Sequence, residues 1–203
     1  MSPQDGYKTV YGETRSEITI KRSVFHGCCR HVTSKDEALR YVDEMKAEFH
    51  DAVHHCWAYR LGKHGLEYRA VDDGEPSGSA GKPILFSMLK ADVSDAIVVV
   101  VRYYGGIKLG VGGLARAYAD AATDVLALSP RAVVALTQPM TVYCTYDDIA
   151  KVTTLLDELA IAYVPTYADA VTFDVDVPES LVLTLQSEVI ERTSGRGGSS
   201  FRR

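Results

Sequence analysis

Apolar positions recur along the chain in distinct rhythms, and each rhythm predicts an element. Behind a Ser34–Glu37 pair with capping-box spacing, Ala38, Tyr41, Val42, Met45 and Phe49 follow at three- and four-residue intervals and predict an amphipathic helix. The β-rich stretch from Ile18 to Phe25, continued through residue 32 past a bend at Gly27, reads as one long or broken strand. Alternation from His54 to Leu61, a turn at Gly62 to Gly65 and a return over residues 66–71 predict a hairpin. Pro83 opens a short helix that runs to Lys90. The unbroken run Ile97-Val98-Val99-Val100-Val101 suits a central strand covered on both faces. Leu114, Tyr118, Ala121, Val125 and Leu128 then mark the buried side of a helix that Ser129-Pro130 ends.

From about residue 133 the pattern restarts. A strand reaches Tyr146, a helix carries Ile149, Val152, Leu156 and Leu159 inward, and two strands lie around Ile161 to Val164 and Val171 to Val177. Pro178 opens a last helix that runs to about Ile190. This β-α-β-β-α order is that of a ferredoxin-like split unit whose final strand is short or missing. The sequence therefore predicts an α+β protein of two domains, 1–132 and 133–193. Residues 194–203, rich in glycine and serine, are expected to form a mobile tail.

Composition narrows the class. With 203 residues, 46% hydrophobic and 24% charged, the chain is long enough to bury a core and unlike a disordered or repetitive sequence. Its longest apolar run, Ala96 to Val101, is too short to span a membrane, so no membrane partner is expected. Residues 1–6 lack the charged-then-apolar pattern of a secretory signal, which makes the cytoplasm the expected location. The cysteines, Cys28, Cys29, Cys56 and Cys144, form neither a disulfide framework nor a C-x-x-C pair. The net charge of -5 is unevenly distributed: residues 1–133 carry 17 basic and 17 acidic side chains, whereas residues 134–195 carry 2 basic against 10 acidic. Such a second domain should repel phosphate backbones.

Two polar loops are the candidate chemistry. The second, Gly105 to Gly113, joins the buried strand to a helix and can offer backbone N–H groups and a positive helix end to an anion, with Arg102, Lys108 and Arg116 supplying charge beside Tyr103. Its glycines Gly105, Gly106, Gly110, Gly112 and Gly113 also suit left-handed turns and close packing. It is no Walker loop, because Val111 and Gly112 stand where a Lys-Ser or Lys-Thr pair is needed. The dinucleotide fingerprint is matched only loosely and starts five residues beyond the strand, so no cofactor is expected. The first loop, Asp72 to Lys82, offers Asp72, Asp73 and Glu75 as base or metal candidates and Ser77, Ser79 and Lys82 as anion contacts; its other reading is a solvated turn. His26, Cys28, His31, His54, His55 and Cys56 have zinc-ligating chemistry but lie at spacings that close no tetrahedral site, and no metal is expected. Cys56 and His54 share a strand face as nucleophile and base, without an orienting third group.

Three blocks carry a resemblance. Ala52-x-His54-x-Cys56-x-Ala58-Tyr59, then Asp72-Asp73-Gly74-Glu75-Pro76-x-Gly78-x-Ala80-Gly81-x-Pro83, then Val101-Arg102-Tyr103-Tyr104-Gly105-Gly106-x-Lys108-Leu109-Gly110-x-Gly112-Gly113-Leu114-x-Arg116-Ala117-Tyr118 resemble the signature of the IMPACT family, bacterial YigZ-like branch. The small departures are Ser79, where threonine is common, and Tyr104, where phenylalanine is also usual. The resemblance implies a first domain similar to the fourth domain of elongation factor G, with its left-handed β-α-β crossover, and a second similar to that factor's fifth. It implies a setting in translation. Eukaryotic members restrain a starvation-activated kinase through an added N-terminal domain; the short segment before Ile18 points to the bacterial type, without that role.

These readings converge on a non-catalytic RNA- or ribosome-binding protein with a small local anion site in the glycine-rich loops. The alternatives are an enzyme that uses the same loops for a phosphate-bearing small molecule, and a protein-interaction module that presents Asp174 and Asp176 as a carboxylate row.

Overall fold

The computed structural model describes residues 5–202. By their contacts these form two compact units, one of residues 7–134 and one of residues 135–202 together with Asp5 and Gly6. The break thus lies two residues beyond the expected one, and Asp5 and Gly6 join the second unit.

In the first unit, β1 (Gly6–Val10) pairs with β7 (Arg131–Ala135) as a two-stranded ribbon. The main sheet is antiparallel, in the order β2 (Glu13–Ile20), β3 (Ser23–His31), β6 (Ala96–Tyr103), β4 (His54–Leu61), β5 (Glu67–Val71). The central position of β6 explains its apolar run, because side chains alternate across a strand and both faces are covered. Val98 and Val100 pack under α2 (Gly81–Lys90) and α3 (Val111–Leu128). Ile97, Val99 and Val101 pack under α1 (Lys35–Glu48). Ser34 caps α1 by accepting the N–H of Glu37, while the Glu37 carboxylate accepts from Thr33.

Two sequence expectations change here. The stretch from residue 18 to 32 is not one strand but the end of β2 and all of β3, turning at Lys21 and Arg22, both at positive φ. A two-residue hairpin needs that backbone, and Lys-Arg lacks the usual Asn-Gly signal. Gly27, expected at a bend, lies inside β3, where a Cβ would stand 2.9 Å from the Ala121 carbonyl oxygen of α3. In α3 the last turn shifts: Leu126 is buried and Leu128 exposed.

The second unit orders β8 (Thr137–Cys144), α4 (Ile149–Glu158), β9 (Tyr163–Tyr167), β10 (Val171–Pro178), α5 (Val182–Arg192) and β11 (Gly198–Phe201). Its sheet runs β11-β8-β10-β9, all antiparallel, which completes the β-α-β-β-α-β split unit. Phe173, Val175 and Val177 face the core with Leu155, Leu156 and Leu185.

The expected mobile tail is corrected by β11. Residues 198–201 pair with β8, and a Cβ on Gly198 would stand 2.4 Å from the Tyr143 hydroxyl. The glycines that suggested flexibility are what let this edge strand approach. Arg196 adds two bonds to Asp148, from Nε at 2.9 Å and Nη2 at 2.8 Å, and with Lys151 holds that carboxyl well below its usual range. Arg202 pairs with Asp174 at 3.3 Å and Asp176 at 3.5 Å, so the acidic row is met by the chain's own arginine. Among the described residues no helix is long and apolar enough to cross a membrane.

Candidate functional site

The two loops meet at one end of the first unit, around a cavity of about 510 Å³. His54 at the start of β4, Pro76 of the first loop, and Arg102 and Tyr104 at the end of β6 form one side. Lys108, Leu109, Gly110, Val111 and Leu114, from the second loop and α3, form the other, with Val53 at the edge.

The first loop is tied down by its own side chains. The Asp72 carboxylate accepts the backbone N–H groups of Gly78 (2.8 Å), Ala80 (3.0 Å) and Gly81 (2.8 Å). Desolvation opposes the charge on Asp72, but these N–H groups, with Lys82 nearby, hold its carboxyl below the usual value. Asp73, at φ 42, accepts the N–H of His55 at 2.8 Å and meets Lys46 at 3.4 Å, while its carbonyl lies 2.9 Å from the His54 Nδ1. The Cys56 thiol donates to the Asp72 carbonyl at 2.9 Å, and burial pushes it up to about 12. His54 and Cys56 thus each hold the loop's backbone rather than one another. Ser77 and Lys82 are exposed, and Ser79 is buried with its Oγ unpartnered among the described residues.

Glu75 lies under the cavity. Its side chain is 3% exposed, and Oε1 accepts from Arg102 Nη1 at 2.6 Å and from the Tyr118 hydroxyl at 2.9 Å. Burial, then Cys56 and Glu75 beside it, pushes the Tyr118 phenol far above its ordinary value. The candidate anion contact Arg102 is therefore matched by a candidate base, and both become part of one buried pair. Removing either would leave a charge without a partner.

The second loop is made differently. Gly105 passes the Arg22 backbone so closely that a Cβ would lie 2.0 Å from it, and its N–H reaches the Ser23 Oγ at 3.1 Å. Gly106 (φ 83) and Gly110 (φ 73, ψ 163) adopt conformations that glycine alone takes readily. Gly112 has open space around it, and Gly113 lies near Leu109. Beyond this anchor the loop is open: Gly110 is the N-cap of α3, which has no side-chain cap among the described residues and no acidic residue in its first turn. Lys108 is exposed at the rim, and Arg116 is exposed one turn on, with Nε 3.5 Å from the Gly112 carbonyl. Tyr103 points to the other face of the sheet, where its hydroxyl donates to Asp51 at 2.6 Å.

Of the residues expected in a site, Arg102, Lys108 and Gly110 line the cavity. Asp72, Asp73 and Glu75 build its support. Tyr104, Leu109, Val111 and Leu114 line it without having been expected to; the one available signal is apolar residues interleaved with the glycines. Among the described residues no group of three or more His, Cys, Asp or Glu could hold a metal ion.

Comparison with known proteins assigns both halves of the chain. The Impact N-terminal domain matches residues 21–126, and Domain of unknown function (DUF1949) matches residues 142–196. An IMPACT family member of Haemophilus influenzae is 33% identical over 183 residues, 89% of each chain. IMPACT family member YigZ of Escherichia coli is 37% identical over 142 residues, 68% of this chain and 69% of its own. A solved structure described as an hypothetical protein is similar at TM-score 0.66 and 28% identity, and covers 98% of both chains.

Proposed function

This chain belongs to the IMPACT family, with YigZ-like bacterial relatives, and from that premise we propose that it is a non-catalytic RNA- or ribosome-binding protein acting in translation regulation. Its site is the open second loop, where the first turn of α3 and Lys108 receive phosphate, with Arg116 beside them. The observation that carries this reading is the N-terminus of α3, without a side-chain cap among the described residues, next to an exposed lysine. Family membership supports the translational setting. The balanced charge of residues 1–133 and the acidic second unit support a small footprint rather than a surface that tracks a duplex.

The test is ribosome and transfer-RNA binding against salt, for the wild type beside Lys108→Ala combined with Arg116→Ala. The expected result is salt-sensitive binding with a slope of a few phosphates, weakened in the double variant. No binding at low salt, or a slope implying about eight contacts or more, would contradict it.

A further inference from the structure

We propose that the cavity beside the second loop takes one unpaired guanine of a single strand, with the base inside and its phosphate at the rim. The inference rests on the nucleic-acid reading above and names the part of the strand the site would recognise.

Arg102 forms the floor of the cavity and is 7% exposed. It bonds Glu75 through Nη1, and its Nε is buried without a partner among the described residues. In a guanidinium the Nε–H and Nη2–H run parallel along one edge, so a bond through Nη1 leaves that two-donor fork unused. Such a fork matches the O6 and N7 of guanine, and equally two oxygens of a phosphate.

Charge and wall chemistry decide between these two. Glu75 cancels the charge of Arg102, and the walls include Val53, Pro76, Leu109, Val111 and Leu114. A phosphate inside would lose its water against a floor of no net charge, a large cost that a neutral base does not bear. The Arg102 guanidinium carbon lies over the ring of Tyr104, which is 56% exposed, at 5.4 Å from its centroid, so the ring extends the apolar wall beside the fork. Adenine would turn its N6 donor toward a donor, which favours guanine over adenine. The volume of about 510 Å³ lies within the roughly 300–1,000 Å³ of small-molecule sites. Lys108 and the first turn of α3 stand at the rim, where the phosphate stays hydrated.

The experiment titrates the full chain with GMP, AMP and inorganic phosphate by calorimetry. In parallel it measures a labelled single-stranded oligouridine containing one guanosine, and the same strand with that nucleotide abasic. GMP is expected to bind about tenfold more tightly than AMP or phosphate, and the guanosine strand about tenfold more tightly than the abasic one. Both preferences should vanish in Tyr104→Ala and in Val111→Trp, two substitutions at exposed positions that spare the buried pair. Equal affinity for GMP and phosphate, or preferences unchanged in both variants, would overturn the proposal. Strand binding indifferent to the abasic site would overturn it while leaving the proposed function standing. Absence of strand and ribosome binding with GMP still preferred would remove that function and support the pocket.

Discussion

The two loops that face the cavity are both glycine-rich and have opposite constructions. Asp72 to Lys82 turns its polar groups inward: one carboxylate takes three backbone N–H groups, a second takes a strand N–H, and a third is paired with an arginine. Gly105 to Gly113 is anchored by the close passage of Gly105 and then presents backbone and Lys108 outward. Glycine content alone does not separate a scaffold from a site. Tracing where each hydrogen-bonding group finds its partner does, because a donor already satisfied inside the protein is not available to a ligand.

The strongest way to break this comparison is to remove the carboxylate under the cavity. Glu75→Ala leaves the Arg102 guanidinium buried and unpaired and should cost about 3–5 kcal/mol in denaturant unfolding. A loss under ~1 kcal/mol would mean that the pair is not structural. Asp72→Asn comes next, with an expected loss of about 1–3 kcal/mol at neutral pH. Because the folded-state carboxyl of Asp72 is held below its ordinary value, its contribution is complete above the unfolded value near 3.8 and is lost as pH falls through the folded one. The wild type should therefore lose its advantage over Asp72→Asn as the pH falls below about 4, and a constant difference down to pH 2 would contradict this.

On the second loop the stability effects should be small. Lys108→Ala with Arg116→Ala should leave stability within about 0.5 kcal/mol and lower the salt slope of RNA binding by about one for each contact removed. One further substitution sharpens the contrast. A Cβ at Gly112 meets nothing within 4 Å, so Gly112→Ala should stabilise α3 by about 0.4–1 kcal/mol in thermal unfolding. A clear destabilisation would show that this glycine is needed for the fold.

Much of the architecture was legible because its periodicities are strong. The capped helix α1, the hairpin of β4 and β5 and the buried strand β6 follow from spacing that tertiary structure did not override. The turn at Lys21-Arg22 was not legible, since neither residue advertises positive φ. Strand β11 was hidden for the opposite reason: Gly197 and Gly198 look like linker residues, and only the proximity of Tyr143 shows that they must be small. In the site, sequence pointed to both loops and to Arg102 and Lys108. It could not show that Arg102 lies on Glu75, because the two are 27 residues apart and only the fold brings them to 2.6 Å. Nor could it show that the acidic residues of the first loop are spent inside the protein, since the partners of Asp72 and Asp73 are set only by the fold.

The most direct measurement is the backbone amide spectrum of both loops as a single-stranded RNA is added. Larger shifts at residues 105–113 than at residues 78–81 are what the account predicts. Shifts confined to residues 74–81, or none on either loop while RNA binds, would contradict it.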